Sequence, residues 1–161
     1  MLVTFRVPIR TIARYWLPVV LWMCVIFDAS TDSLSDRQTS RFIVPVLRWL
    51  KPDISDMAIH QIHTVIRKGA HVTEYAVLAL FLCRAYRYTI ASPANRGRFR
   101  GMAFCSVSLS VLYAASDEFH QSFSSSRYAS VGDVLIDGAG AILGVALFWG
   151  ATRWNKPVRA G

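Results

Sequence analysis

Four apolar segments, each interrupted by few charges, follow one another along this chain. A helix needs ~20 mostly apolar residues to cross the hydrocarbon core of a bilayer. Hydrophobic residues make up 53% of the chain and charged residues only 17%, against about a quarter in an ordinary soluble domain. We therefore expect an all-α, polytopic membrane helix bundle, formed by residues 1–161 as a single domain. Its four transmembrane helices are predicted at about residues 11–30, 69–88, 101–116 and 131–151.

The connection between the first two segments is long and contains two amphipathic stretches, residues 41–50 and 56–66. Two prolines argue against a membrane span here, because proline removes a helical hydrogen bond and clashes with the preceding turn. We interpret both stretches as interfacial helices in the first extracytoplasmic loop, lying on the outer membrane surface. A loop folded over the bundle is the alternative. In either arrangement, His60 and His63 are expected to be solvated.

Basic residues are distributed unevenly around the four segments, and this predicts the orientation of the chain. The short second connection contains five arginines, whereas the short third connection contains one. Lys and Arg concentrate in cytoplasmic loops, so both termini are predicted to be cytoplasmic. Because the basic residues flank apolar segments, a net charge of +8 does not indicate nucleic-acid binding here. In this topology all the acidic residues lie on or near the extracytoplasmic side: Asp28, Asp32, Asp36, Asp53, Asp56, Glu74, Asp117, Glu118, Asp133 and Asp137.

The second apolar segment begins with ionisable residues on one face. Lys68, His71 and Glu74 are spaced three residues apart, which places them along one stripe of a helix. Glu74 lies furthest into the segment and is expected to be the most deeply embedded carboxylate. Tyr75 is interpreted as an interfacial aromatic residue. Charged groups at membrane depth are costly and usually mark a functional site, so this stripe is a candidate.

Polar residues also cluster where the third segment ends. Asp117 and Gln121 share one helical face, whereas Glu118 and His120 are expected to point elsewhere unless the helix unwinds there. Arg127 follows in a serine-rich connection. We expect these residues to meet the start of the second segment at the outer leaflet.

The fourth segment has two carboxylates followed by two glycines near the same face. Asp133 and Asp137 are four residues apart, and Gly140 and Gly144 form a G-x-x-x-G step. Small residues allow two membrane helices to approach closely. The stripe is therefore predicted to face the inside of the bundle, although the same glycines could instead serve a dimer.

One interpretation of this constellation is a binding site. Lys68 and Arg127 would hold an anionic headgroup, a phosphate or a peptidyl carboxylate, and the acidic residues would orient these two bases. The predicted ligand-binding set comprises the polar residues at the three helix ends: Lys68, His71, Glu74, Asp117, Glu118, His120, Gln121, Arg127, Asp133 and Asp137.

A second interpretation is a membrane-embedded hydrolase. Imidazole and carboxylate groups are suitable ligands for a divalent metal, which could activate water against a lipid-linked or phosphate ester. A divalent metal is the one cofactor that these residues indicate. The candidate ligands are His71, Glu74, Asp117 and His120, and the candidate catalytic residues are these four and Asp137. A network of ion pairs that only fixes the helix order is the remaining alternative.

At these positions the chain resembles the VanZ-like family of bacterial integral membrane proteins. The matching motifs follow one another in a specific order, although each alone is weak: Lys68-x-x-His71-x-x-Glu74-Tyr75, Asp117-Glu118-x-His120-Gln121 with Arg127, and Asp133-x-x-x-Asp137-Gly138. The resemblance implies a multi-pass protein of the bacterial plasma membrane that binds or modulates a cell-envelope component. The implied partners are membrane lipid and a cell-envelope precursor or other anionic ligand. The family takes its name from a member linked to lowered sensitivity to the glycopeptide teicoplanin.

Overall fold

The computed structural model describes residues 8–30, 36–89, 99–122 and 130–154, excluding the side chains of residues 36–39, 42, 121 and 154. Within these ranges the chain forms five helices and no strand, so the expectation of an all-α fold is confirmed. In chain order the helices are α1 (Ile9–Ser30), α2 (Asp36–Leu50), α3 (Asp56–Thr89), α4 (Phe99–Gln121) and α5 (Val131–Trp154). Three segments of the described chain are long and apolar enough to cross a membrane: Ile9–Ser30, Phe99–His120 and Val131–Arg153.

The longest helix, α3, joins two elements that the sequence pattern separates. Its 34 residues extend over about 51 Å, well beyond the ~30 Å of a hydrocarbon core. No proline lies between Pro52 and Pro93, so the stretch 56–66 and the predicted span 69–88 form one continuous helix. The expectation of a separate second interfacial helix is therefore wrong.

The short helix α2 contains the first amphipathic stretch, residues 41–50, and packs against α3. Pro45 lies inside α2. Near the turn between the helices, the Arg48 guanidinium donates to the Asp56 carboxylate at 3.1 Å. The Ser55 hydroxyl accepts an amide N–H from the first turn of α3 and so caps its N-terminus. This turn holds α2 beside the first turns of α3.

The first helix runs antiparallel to α3. Near one end of the bundle, the Trp16 indole N–H donates to the Thr89 hydroxyl at 3.0 Å. Nearer the other end, the Trp22 indole N–H donates to the backbone carbonyl of Glu74 at 2.9 Å. The residue numbers of these contacts rise along α1 and fall along α3, so the two helices are antiparallel.

The last helix, α5, runs parallel to α3 and makes the most extensive interhelical contact in the described structure. Gly140 lies against the backbone of Val72, and Gly144 lies against the backbone of Ala76, one turn further along both helices. The G-x-x-x-G step therefore packs inside the bundle, as predicted, and is not a free face for a dimer. An α-carbon without a side chain is required at both positions, because the two backbones are in direct contact.

Helix α4 runs parallel to α1. The Tyr113 hydroxyl donates to the Met23 carbonyl at 2.6 Å, and the Ser30 hydroxyl donates to Asp117 at 2.5 Å, further along both helices. Helices α1, α3, α4 and α5 therefore alternate in direction. The start of α1 and the end of α5 lie at the same end of the bundle.

The core centred on α3 is mostly apolar, and apolar side chains also cover much of the outer faces of α1, α4 and α5. Buried core residues from three helices include Val19, Ile26, Tyr75, Leu78, Leu82 and Ala114. Exposed large apolar side chains include Leu17, Leu21, Phe104, Leu112, Leu135, Ile142 and Leu147. So many exposed large apolar side chains are unfavourable in water and typical of a surface that faces lipid.

Candidate functional site

Buried ionisable residues collect at the end of the bundle where α1 and α4 end and α5 begins. We call this the polar end and define it by Ser30, His71, Asp117, Glu118 and Asp137. The three carboxylates Asp137, Asp117 and Glu118 are only 1%, 3% and 4% exposed. Burying carboxylates costs several kcal/mol each by an order-of-magnitude estimate, unless a partner compensates the lost hydration. Each of the three is approached by a different partner.

Asp137 faces His71 across the contact between α5 and α3. The Asp137 Oδ1 atom lies 3.3 Å from the His71 Nδ1 atom, and both side chains are buried. This pairing follows from the glycine step, because Gly140 sits on the backbone of Val72 and so brings the preceding turn of α5 against His71. The close approach of two backbones thus determines which carboxylate meets the histidine.

Asp117 joins the end of α1 to the end of α4 by accepting the hydroxyl proton of Ser30 at 2.5 Å. The neighbouring Glu118 accepts the backbone N–H of Ser130 at 2.9 Å, immediately before the first turn of α5. A carboxylate is favourable at a helix N-terminus, where backbone N–H groups are unsatisfied and the helix dipole is positive. Glu118 therefore secures the start of α5.

The burial of Glu118 differs from the expectation that it points away from the site. Successive helical residues differ in direction by about 100°, so Asp117 and Glu118 cannot face the same neighbour. Because α4 packs against both α1 and α5, both directions lead into the protein. The sequence pattern could not reveal that α4 has neighbours on two sides.

Tyr75 lies one turn beyond His71 and is fully buried, so the interpretation as an interfacial aromatic residue is wrong. Its ring centroid is 6.4 Å from that of Tyr113. The Tyr75 hydroxyl is buried and has no hydrogen-bond partner among the described residues. A buried hydroxyl of this kind is a donor available to the polar end.

A cleft of about 180 Å³ opens at the polar end along the first half of α3. Its wall carries two cations, Arg67 and Lys68, and one carboxylate, Asp133 from the first turn of α5. His71 also lines the cleft, so the cleft borders the buried contact between His71 and Asp137. The other lining residues are His60, His63 and Thr64.

The expectation that His63 is solvated is wrong. It is buried on α3, and its Nε2 atom has no hydrogen-bond partner in the described part of the chain. It lines this cleft and a second one between α2 and α3. The spacing of His60, His63, Arg67 and His71 is helical, and this signal could have been found by extending the helix back to residue 56.

Two predicted site residues lie at the edge of this arrangement. His120 is exposed and packs on Phe27, with ring centroids 4.6 Å apart, so it lies on an outer face. Glu74 is half-buried, and its backbone carbonyl accepts the Trp22 indole. The Gln121 side chain and Arg127 lie outside the described residues.

The predicted metal ligands are not brought together as a metal site in the described structure. Within its ranges, no group of three or more His, Cys, Asp and Glu residues is arranged to hold a metal ion. The directions of the side chains explain this result, because His120 points outward while Asp117 bonds to Ser30 and His71 faces Asp137.

Comparison with known proteins agrees with the resemblance seen in the motifs. The family model described as VanZ/LLP1 matches residues 15–153, from the first helix through the last. None of the curated proteins and none of the solved structures matches the chain. Because the family match covers most of the chain and includes all the described residues of the polar end, the chain belongs to the VanZ/LLP1 family.

Proposed function

We propose that this chain is a multi-pass protein of the bacterial plasma membrane whose polar end binds the anionic group of a cell-envelope component. In this proposal α1, α3, α4 and α5 cross the bilayer, with both termini in the cytoplasm and the cleft on the extracytoplasmic side. The observation that carries the ligand class is the cleft beside His71, where Arg67 and Lys68 face one carboxylate, Asp133.

The fourth crossing is supported by the position of α3. The other three long helices pack around it, so its second half is shielded from lipid and tolerates more polar side chains. The alternating directions of α1, α3, α4 and α5 also require α3 to run from one face of the bundle to the other. The end of α3 and the start of α4 then lie at the same face of the bundle, joined by residues 90–98.

The orientation is supported by the charges at the two ends. The polar end holds the buried carboxylates, whereas the opposite end carries Arg14, Arg84, Arg87 and Arg153. Cytoplasmic ends of membrane helices are enriched in Lys and Arg. The cleft then lies on the extracytoplasmic side, within reach of envelope precursors.

We place α2 in the outer membrane interface. Its exposed apolar residues include Val46, Trp49 and Leu50, and Met57 is exposed nearby at the start of α3. Trp is favoured at the level of lipid headgroups, and an amphipathic helix can lie in that plane. In this position α2 brings the cleft close to lipid headgroups.

The ligand class follows from the electrostatics of the cleft. Arg67 and Lys68 outnumber Asp133 on the cleft wall, so an anion bound there would contact two cations, while the carboxylates Asp117, Glu118 and Asp137 are buried away from this wall. Arginine binds phosphate and carboxylate through paired hydrogen bonds, and lysine adds a point charge. A volume of about 180 Å³ suits a headgroup or a phosphate more than a complete lipid, whose acyl or prenyl chain would remain in the bilayer.

The test is binding of a polyprenyl diphosphate to the purified protein in detergent, with the uncharged polyprenol as the control ligand. Lys68→Ala and Arg67→Ala should each weaken diphosphate binding by about tenfold or more, because a charge-assisted hydrogen bond is lost. Lys51→Ala is the matched control, since Lys51 is exposed near the start of α3 and does not line the cleft. Unchanged affinity in both cleft variants would contradict the proposal.

A role in glycopeptide response is tested in cells. Expression of the wild-type chain should raise the teicoplanin concentration needed to inhibit growth, and expression of Lys68→Ala should not.

The metal-dependent hydrolase is not favoured, because the described ligand-type side chains are not arranged around a common point.

A further inference from the structure

The end of the bundle opposite the cleft has an unusual arrangement of arginines on aromatic rings. The guanidinium carbon of Arg14 lies 6.0 Å from the ring centroid of Tyr15, and that of Arg84 lies 5.2 Å from the same centroid. Tyr15 from α1 is itself stacked on Tyr88 from α3, with centroids 4.7 Å apart and planes 10° apart. Two positive charges are thus held beside one rigid aromatic pair.

A second pair of arginines extends this surface toward α5. Arg87 lies 5.9 Å from the ring of Tyr88 and 5.8 Å from the ring of Phe148. Arg153 lies 3.8 Å from the ring of Trp149. Distances of about 6 Å or less are typical of cation–π contacts, which hold the guanidinium groups in defined positions.

These arginines have no carboxylate from their own chain at this end. The sequence contains no Asp or Glu in residues 1–27, 75–116 or 138–161, which include every helix terminus at this end. Arg14, Arg84, Arg87 and Arg153 are exposed, and none forms an ion pair with another described residue. Like charges repel when they converge, so this surface favours an external anion.

We propose that this surface binds anionic phospholipid headgroups, with one lipid phosphate held between Arg14 and Arg84. Aromatic residues at helix ends lie at the headgroup level, which is the depth of the phosphates. A guanidinium already positioned by an aromatic ring loses little conformational freedom when it forms paired hydrogen bonds to phosphate. The inference rests on the membrane placement proposed above and is independent of the cleft.

The proposed lipid site requires arginine in particular, whereas the general preference for basic residues in the cytoplasm is satisfied by any positive charge. Orientation in the membrane requires positive charge alone, which lysine supplies equally. A phosphate held between two guanidinium groups that lie beside one aromatic ring requires arginine geometry, because lysine offers no planar fork for paired hydrogen bonds. Comparing glutamine with lysine replacements therefore separates charge from recognition.

The experiment measures lipid binding to the purified, detergent-solubilised chain by native mass spectrometry and by lipid-dependent thermal stabilisation. The probes are phosphatidylglycerol, phosphatidylcholine and inorganic phosphate. Wild-type protein should bind phosphatidylglycerol and be stabilised by it, with much less effect from the other two. The double substitution Arg14→Gln with Arg84→Gln should lower phosphatidylglycerol affinity by about 30-fold, since each basic residue contributes roughly a fivefold effect at an anionic surface.

Three further variants make the outcome decisive. Arg14→Lys with Arg84→Lys should retain part of the affinity, and its helix content should match wild type by circular dichroism. Arg48→Gln, at the other end of the bundle, should leave phosphatidylglycerol affinity unchanged. Equal affinity in wild type and in the double glutamine variant would overturn the inference. Loss of lipid binding in Lys68→Ala alone would overturn it too, because the lipid would then occupy the cleft.

Discussion

Replacing either glycine of α5 with alanine tests the close approach on which the arrangement of the polar end depends. A Cβ atom added at Gly140 would lie 2.5 Å from the carbonyl oxygen of Val72 and 2.9 Å from its Cα atom. A Cβ atom at Gly144 would overlap the carbonyl oxygen of Ala76 still more severely. The opposing atoms belong to the helix backbone, which cannot rotate away as a side chain could. The two helices must therefore move apart.

The size of the effect follows from that geometry. Ordinary van der Waals contact at these positions begins at 3.4 Å, so Gly140→Ala requires α3 and α5 to separate by nearly 1 Å. Overpacking of this kind costs about 1–3 kcal/mol. The better helix propensity of alanine returns up to about 1 kcal/mol. We expect a net loss of up to about 2 kcal/mol for Gly140→Ala and a larger loss for Gly144→Ala, by the same reasoning on overpacking.

The matched control is Gly150→Ala, because Gly150 lies on the same helix and has no neighbouring atom within 4 Å of an added Cβ. This substitution should be neutral or stabilise by up to about 1 kcal/mol. The free energy of unfolding is measured in detergent micelles by titration with sodium dodecyl sulfate while helix content is followed. The double variant should cost less than the two single losses together, since one separation relieves both overlaps. If Gly144→Ala is as stable as Gly150→Ala, the close contact of α3 with α5 is refuted.

Three other substitutions test the connections between helices. Asp137→Asn should destabilise the protein by about 1–3 kcal/mol, because it removes the carboxylate that faces buried His71. Micelle unfolding of Asp137→Asn, His71→Ala and the double variant measures the coupling between the two side chains, and additive losses would exclude the pair. Ser30→Ala should cost about 1–3 kcal/mol, because it removes the hydroxyl that donates to buried Asp117; a stability equal to wild type would show that Asp117 is satisfied without α1. Tyr113→Phe should cost about 0.5–1.5 kcal/mol through loss of the bond to the α1 carbonyl, with thermal unfolding as the readout; an increase in melting temperature would contradict the assignment.

The sequence was sufficient for the membrane character of the chain and for the glycine face. Hydropathy placed three spans close to the helices Ile9–Ser30, Phe99–His120 and Val131–Arg153. The spacing of Asp133, Asp137, Gly140 and Gly144 predicted an inward-facing stripe. The structure buries the last three residues, and the half-buried Asp133 lines the cleft. These inferences rest on lipid transfer energies and helical periodicity, which are local properties.

The local sequence pattern could not predict which way other site residues face. Glu118 and Asp117 are neighbours in sequence and yet bond to different helices, and His120 faces outward although it lies only two residues from Glu118. Helical periodicity gives the angle between two side chains, but the position of neighbouring helices decides which angle leads inward. The burial of His63 depended likewise on α3 extending past the predicted span, with α2 packed against it.

Sequence pattern was enough to predict that the chain is helical, that it is apolar enough for a membrane, and that its acidic residues gather toward one end. Which residues meet at each end became known from the packing of the helices: Asp137 with His71 beside the cleft, and Arg14 with Arg84 beside one tyrosine ring. The reason is that composition and periodicity act along a single helix. Contacts between helices depend on how closely two backbones approach, and here two glycines permit that approach.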